Sequence, residues 1–278
     1  MNPTVIIPPF WTRRRGRGLE RARIHYDHPT CLDDEGTLPE CLRSLQAVAG
    51  LDRVVVIVAA TDESIEHAAE DRVTEILSDF PDIESFVFGT AEMGSLHRRL
   101  EQLEFVDIID GVSLAGYGGV RNVGLMLAAV LGAESIVFLD DDQVVISPDF
   151  LERAADGLGE RLDGGRLVLA KSGYYVDAKG SYRIADEAPW WDMFWRQNEY
   201  YDQAVARVAE PPRIKPSTLA FGGCLALHRD MYCNVSFDPW SVRGEDIDYV
   251  INARFKITGN QMIANTDKYS IVLTRLDV

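Results

Sequence analysis

The stretch from Val54 to Ala60 is apolar at every position. Alternation would mark a strand with one wet face. An unbroken run of mostly β-branched residues marks a strand covered on both faces, and such strands belong to parallel sheets flanked by helices. The neighbouring segments agree. Thr4 to Pro8, Glu84 to Gly89 and Ser135 to Leu139 read as further strands. Helical spacing or apolar character marks Leu38 to Ala49, Glu63 to Phe80 and Gly119 to Leu131. Strands and helices alternating in this order predict an α/β fold, a mainly parallel sheet with crossover helices.

The second half reads as mixed. Helices are expected at Pro148 to Arg161, Trp190 to Val208 and Glu245 to Lys256. Strands are expected at Arg166 to Lys171, Tyr174 to Ile184 (broken by a Lys179-Gly180 turn), Leu219 to Leu227, Gln261 to Asn265 and Tyr269 to Thr274. At 278 residues, against a typical domain of about 150, the chain can build a sizeable core without disulfides or a structural metal. Residues 1–278 are expected to form one domain, with 1–145 binding a nucleotide and 146–278 an acceptor.

Charge and cysteine usage narrow the class. The 28 basic and 44 acidic residues leave a net charge of −16, which opposes a surface built for nucleic acid or anionic lipid. No apolar run reaches the roughly 18–20 residues a bilayer span needs, and the first residues carry no secretory pattern. Cys31, Cys41, Cys224 and Cys233 show no metal-ligand spacing and read as reduced thiols of a cytoplasmic protein. A homo-oligomer is compatible with all of this.

Three acids close the fourth strand: Ile136-Val137-Phe138-Leu139-Asp140-Asp141-Asp142. Ligands of open parallel sheets bind beyond the carboxyl ends of the strands. Carboxylates crowded there repel one another, and a hard divalent cation, Mg²⁺ or Mn²⁺, relieves the repulsion. Extended geometry sends Asp140 and Asp142 one way and Asp141 the other. The run Gly116 to Gly124 opens the preceding helix, where backbone N–H groups and the forked donor of Arg121 suit phosphate. Gly244-Glu245-Asp246 sets acids in the first turn of a later helix. The helix dipole favours acids there and is expected to keep Asp246 ionised, able to take a proton from a substrate hydroxyl.

In this order the segments resemble the GT-A glycosyltransferases, most nearly the family-2 type. The residues that carry the resemblance are Val5 to Pro8, Leu38 to Leu45, Thr61-Asp62-Glu63-Ser64, Arg121 to Leu125, and Phe138 to Asp142 as a DxD motif. Gly222-Gly223 to His228-Arg229, Phe237-Asp238, and Glu245-Asp246 with Arg254 complete the set. The resemblance implies a GT-A, Rossmann-like sheet with a mixed acceptor half, binding a nucleotide-diphosphate sugar and a sugar or small-molecule acceptor. On the donor side it points to Pro8, Asp62, Arg121, Asn122, Asp140 and Asp141. Asp140 and Asp142 would serve the metal, Gly222 and Gly223 the acceptor. Asp246 would be the general base of an inverting transfer, positioned with Glu245. The segment Ile57 to Asp62 replaces the Asp-Asp-Gly-Ser run of many relatives, and Tyr269 to Thr274 lacks the histidine ligand that many place in the last strand.

Two further features bear on ligands. Arg13, Arg14, Arg15, Arg17, Arg21 and Arg23 follow the first strand and could clamp a phosphate or an anionic acceptor, or form a solvated loop. Trp190 and Trp191 could floor an acceptor site, since sugars stack on aromatic faces, although core packing explains aromatic helices equally well. The nearest alternative activity is a retaining transferase with a small anionic acceptor such as a glycerate. A nucleotidyltransferase and a non-catalytic sugar- or nucleotide-binding protein are the other two.

Overall fold

The computed structural model describes residues 2–13, 26, 29–161, 167–177, 180–182, 190, 192–211, 215–217, 219–258 and 269–277. Its centre is an eight-stranded sheet. Strand β1 (Thr4–Ile7) lies between β4 (Val54–Ile57) and β7 (Ser135–Leu139), parallel to both, and β6 (Ser85–Phe88) extends the parallel part beyond β4. Beyond β7 the sheet becomes mixed. Strand β10 (Cys224–His228) is antiparallel to β7 and to β8 (Leu167–Tyr174). Strand β11 (Tyr269–Asp277) is parallel to β8, and β9 (Lys215–Pro216) is antiparallel to β11 at the edge. The order β6-β4-β1-β7 reverses direction of growth at β1, so the carboxyl ends of β1 and β7 border the crevice where such sheets bind ligands.

The burial pattern follows the sequence. Every residue of β1, β4 and β7 is buried. Helix α1 (Leu38–Leu45) buries Leu38, Cys41, Leu42 and Leu45 on one face, and α2 (Glu66–Ser78) buries Ala69, Val73, Ile76 and Leu77. Both join the core on one side of the sheet. Helix α4 (Tyr117–Val130) covers the other side, and Gly124 lets it approach closely: a Cβ there would stand 2.8 Å from the Phe138 ring.

Several expected elements differ. The run Val54 to Ala60 breaks at Val58, and its last residues, β5 (Ala59–Ala60), pair with β2 (Phe10–Thr12). With β3 (Thr30–Cys31) they form a small parallel sheet beside the crevice. Helix α3 (Thr90–Gln102) has no counterpart in the sequence reading; its Gly89 cap and sparse buried residues, Met93 and Leu100, left little period to detect. The expected helix at Pro148 to Arg161 shortens to α5 (Phe150–Ala155). The long aromatic helix is two, α6 (Asp192–Trp195) and α7 (Gln197–Ala209), because Arg196 takes a left-handed φ of 48°. The strand expected from Leu219 starts only at Cys224, after a Gly222-Gly223 turn, and of the strand expected from Tyr174 to Ile184 only Tyr174 is in a strand among the described residues, as the last residue of β8. Helix α8 (Arg229–Tyr232) follows β10, and α9 (Glu245–Thr258) begins at the expected residue. The strand expected at Gln261 to Asn265 lies outside the described residues.

Candidate active site

The carboxyl end of β7, the Gly222-Gly223 turn and the start of α9 meet around Arg121, which α4 supplies from its first turns. Arg121 is 3% exposed. Its Nε–H donates to Glu245 Oε1 (3.1 Å), Nη1 to the Gly222 carbonyl (2.7 Å) and Nη2 to Asp140 Oδ1 (3.4 Å). The guanidinium also lies over the Phe138 and Phe237 rings, 5.3 and 5.9 Å from their centroids. Burial disfavours its charge, but Asp140, Glu245 and Asp246 outweigh that and raise its pKa. The fork is therefore engaged by protein groups.

The two glycines make room for this arrangement. A Cβ on Gly222 would stand 2.6 Å from Arg121 Nη2, and a Cβ on Gly223 would fall inside the Asp140 carboxylate. The Asp140 N–H donates to the Gly223 carbonyl (3.2 Å), which locks the aspartate turn to β10. Burial, Asp142 and Glu245 push the Asp140 carboxyl up to about 6, against the pull of Arg121. Asp141 lies in a turn, closed by the Gln143 N–H on the Asp140 carbonyl (3.2 Å), rather than in the extended geometry expected. Its Oδ2 accepts the Thr37 hydroxyl (2.8 Å), and burial with the two flanking aspartates raises it to about 7. Asp142 is exposed.

Asp246 sits in the first turn of α9. Its Oδ2 accepts the Gly222 N–H (3.1 Å) and its Oδ1 the Ile247 N–H (2.8 Å). The helix position was expected to hold its carboxyl low. Burial and the adjacent Glu245 instead raise it above the ordinary value, outweighing Arg121 and both backbone donors. Glu245 is 6% exposed and faces Arg121, so it anchors the turn that carries Asp246.

The remaining sequence candidates are spread more widely. Asn122 is 7% exposed and hydrogen-bonded at both ends of its amide: Nδ2–H to the Gly111 and Phe237 carbonyls (2.9 and 3.0 Å), Oδ1 from the Phe237 N–H (2.8 Å). It clamps α4 to the segment before α9. Gly118 and Gly119 face the Asp238 carbonyl and the Ser113 hydroxyl rather than open space. Pro8 is buried at the end of β1. Asp62 is part exposed; an ion pair with Arg13 (2.7 Å) and hydrogen bonds from Ser64 hold its carboxyl down to about 2. Arg13 thus borders the small sheet, while Arg14, Arg15, Arg17, Arg21, Arg23 and Trp191 lie outside the described residues. Trp190 is 74% exposed and meets the Phe194 ring edge-on, with centroids 6.5 Å apart. All four cysteines are free thiols, three of them buried.

Three contacts had no sequence signal. Tyr26 stacks on Phe10 (4.2 Å), and its hydroxyl accepts the Gly116 N–H (2.8 Å) at the start of α4. Thr37 orients Asp141. Gln143 is buried beside Asp140, and its Oε1 has no partner. Tyr26 and Thr37 meet partners 90 and 104 residues away, which no local pattern reveals.

The donor set suits a hard cation held jointly with a ligand. Asp140 and Asp142 are oxygen donors, Asp142 raises the Asp140 carboxyl against the pull of Arg121, and the buried Gln143 Oε1 near Asp140 has no partner. Among the described residues no three His, Cys, Asp or Glu side chains converge, so ligand and water oxygens would complete the shell. No described helix is long and apolar enough to cross a membrane.

No family model and no curated protein matches the sequence. Solved structures do match in fold. A mannosyltransferase from Pyrobaculum calidifontis, in complex with GDP-Man and Mn²⁺, superposes with a TM-score of 0.51 at 15% identity, covering 97% of this chain and 56% of that one. The chain thus spans little more than half of that protein. Mouse xyloside xylosyltransferase 1 in its apo form gives 0.43 at 11% identity, over 98% and 85%. CMP:2-keto-3-deoxy-manno-octonic acid synthetase with CTP gives 0.43 at 13%, over 100% and 90%. At these identities the likeness is one of fold: a mixed α/β architecture with a mainly parallel central sheet of the GT-A, Rossmann-like type.

Proposed function

We propose that the chain is a glycosyltransferase that moves a sugar from a nucleotide-diphosphate sugar to an acceptor hydroxyl, with the donor at Asp140–Asp142 and the acceptor at Asp246. One observation carries the reading. The buried Arg121 joins Asp140, at the end of a parallel strand, to Glu245, whose neighbour Asp246 faces the same turn at Gly222. A donor-end acid and a second, separately held carboxylate on one scaffold suit a transfer between two bound molecules. The mannosyltransferase of this fold holds GDP-Man and Mn²⁺, which supports pairing a nucleotide sugar with a divalent cation here.

Asp140 and Asp142 would hold Mg²⁺ or Mn²⁺, which supplies positive charge opposite the departing diphosphate. Pro8, Asp62 and Asp141 lie toward the donor side, and Asp141 acts by fixing the turn through Thr37. Arg121 and Asn122 position the site: one holds Asp140 and Glu245, the other holds α4. Gly222 presents its N–H to Asp246 and keeps the carboxylate aimed. An acceptor hydroxyl has a pKa far above 7, so direct displacement needs a base at the attacking oxygen. A carboxylate raised by burial is a better base than an exposed one, and Asp246 is so placed. We assign it that role in an inverting transfer.

Turnover of UDP-, GDP- and dTDP-sugars with Mn²⁺, analysed for product, tests the reading. Release of free nucleoside diphosphate with inversion at the anomeric carbon is expected. Release of pyrophosphate from a nucleoside triphosphate and a sugar phosphate would make the chain a nucleotidyltransferase. Binding without turnover across donors and acceptors would make it a binding protein.

A further inference from the structure

Ser172 lies in β8 with no exposed surface, in a strand buried from Val168 onward. A hydroxyl is costly at such a position unless it is hydrogen-bonded, so its partners explain its presence. Ser172 Oγ accepts the Phe221 N–H (2.8 Å). Its own proton is shared between the Cys224 and Gly173 carbonyls, each 3.2 Å away. Phe221 and Cys224 are the two ends of the Gly222-Gly223 turn, which the Cys224 N–H closes on the Phe221 carbonyl (2.9 Å). Leu225, the next residue of β10, pairs with Ser172 itself. The ladder therefore brings the hydroxyl to the turn, and the hydroxyl grips the turn at its first and last residues.

Three parts of the candidate site are tied to the two residues between those ends. The Gly222 N–H donates to Asp246 Oδ2 (3.1 Å), and the Gly222 carbonyl accepts Arg121 Nη1 (2.7 Å). The Gly223 carbonyl accepts the Asp140 N–H (3.2 Å). Asp140 follows β7 and Asp246 begins α9, so two carboxylates from different elements are bonded to one turn. Both glycines are buried and neither has room for a Cβ, so the turn cannot be stiffened by side chains of its own. Ser172 supplies the stiffness from β8. Without its hydroxyl the N–H of the buried Phe221 loses its acceptor, and the turn must shift to pair it again.

We propose that Ser172 is a positioning residue of the transfer reaction: it fixes the spacing between the donor-side Asp140 and the acceptor-side Asp246 by holding the turn to which both are bonded. The proposal rests on the glycosyl-transfer reading above. Ser172 acts through Gly222 and Gly223 and takes no part in the bond changes. A transfer between two bound molecules depends on their relative placement, and a misplacement of about 1 Å costs on the order of 10²-fold in rate. Binding of the donor nucleotide depends far less on that spacing. Arg121 still holds Asp140 from α4 when the hydroxyl is gone, so the nucleoside diphosphate keeps its site. The loss belongs in kcat.

The test compares Ser172→Ala and Ser172→Cys with Val73→Ala in the full chain. The cysteine nearly keeps the shape and replaces the hydroxyl by a weak donor and acceptor, so it carries the test if the alanine variant does not fold. Val73 is fully buried on α2, which packs against β5 and β6, and its truncation reports a loss of stability alone. Amide hydrogen exchange is read by NMR at Gly222 relative to Ile6 of β1. Turnover is measured with the donor that the wild type uses, and UDP and GDP are titrated calorimetrically with Mn²⁺. Both Ser172 variants should speed Gly222 exchange relative to Ile6 by about tenfold, the size of one hydrogen bond. Their kcat per folded molecule should fall about 10- to 100-fold, with nucleoside diphosphate affinity within about threefold. Val73→Ala should leave kcat per folded molecule and the exchange ratio within about twofold of wild type. Unchanged kcat in both Ser172 variants overturns the proposal. So does a lowered kcat with an unaltered Gly222 ratio, or an equal loss of kcat per folded molecule in Val73→Ala. No turnover by the wild type with any donor would bring down the glycosyl-transfer reading and the positioning role together. The Gly222 ratio, which needs no substrate, separates that failure from a failure of the hydroxyl clamp.

Discussion

Asp246 shows how far a residue's neighbours can override its place in an element. A first-turn carboxylate is favoured in its charged form, yet burial and Glu245 prevail and raise it. Asp246→Asn keeps the side chain's shape and one of the two backbone hydrogen bonds, because its amide oxygen accepts and its amide nitrogen does not, and it removes the basicity. Transfer should fall by about 10²- to 10⁴-fold, the range for a lost general base, with donor affinity little changed. The acid limb of kcat/KM in the wild type should lie above the ordinary carboxylate range. Near-normal transfer by the variant, or a product that keeps the donor's configuration, would move the mechanism to retention. Gly223 makes a different point at the same scale. Its side chain is missing because the Asp140 carboxylate occupies the space. Gly223→Ala should displace that carboxylate and weaken metal-dependent nucleoside diphosphate binding at least about tenfold, at a stability cost of about 1–3 kcal/mol for overpacking. Titration by calorimetry with and without Mn²⁺ would show it.

At the scale of elements, single polar side chains hold secondary structure in register. Arg121 on α4 reaches β7, the turn before β10, and α9. Arg121→Met leaves two carboxylates, Asp140 and Glu245, buried or part buried without their cation. Loss of one partner of such a pair costs roughly 3–5 kcal/mol. Adding Glu245→Gln should recover part of that loss, because it removes one orphaned charge; a double-mutant cycle by urea unfolding measures the coupling. Glu70 does a smaller version of this work. Its Oε1 accepts the Thr90 N–H (2.6 Å) and so joins α2 to the first turn of α3. Burial raises its carboxyl, but the Thr90 N–H and hydroxyl and His67 outweigh burial and leave it below the ordinary value. A carboxylate lowered on folding stabilises above its unfolded value, and the benefit disappears as pH falls through its folded value. Glu70→Gln should therefore cost about 1 kcal/mol near neutrality, and the difference in unfolding midpoint should shrink toward zero below about pH 4.

For the whole molecule, binding and stability are linked. A nucleoside diphosphate with Mn²⁺ that binds only the folded chain should stabilise it by about 2.7 kcal/mol at a hundredfold excess over Kd. That raises Tm by several degrees. Chelation with EDTA should abolish the shift from the nucleotide, and an unchanged Tm with every nucleotide would count against the donor site. The net charge of −16 has a place in the same picture. A net negative charge of this size attracts cations and disfavours an uncompensated polyanion.

The sheet's parallel half was legible in the sequence because its signals are local. Unbroken β-branched runs, helix period and three acids at a strand end each depend on a few consecutive residues. The order of those elements carried the GT-A resemblance, and Asp140, Asp142 and Asp246 were named from it. Long-range pairing decided the rest. The break at Val58 serves a partner elsewhere in the fold, the Phe10–Thr12 strand. Whether Arg121 meets phosphate or carboxylate depends on Glu245, which is far away in the chain.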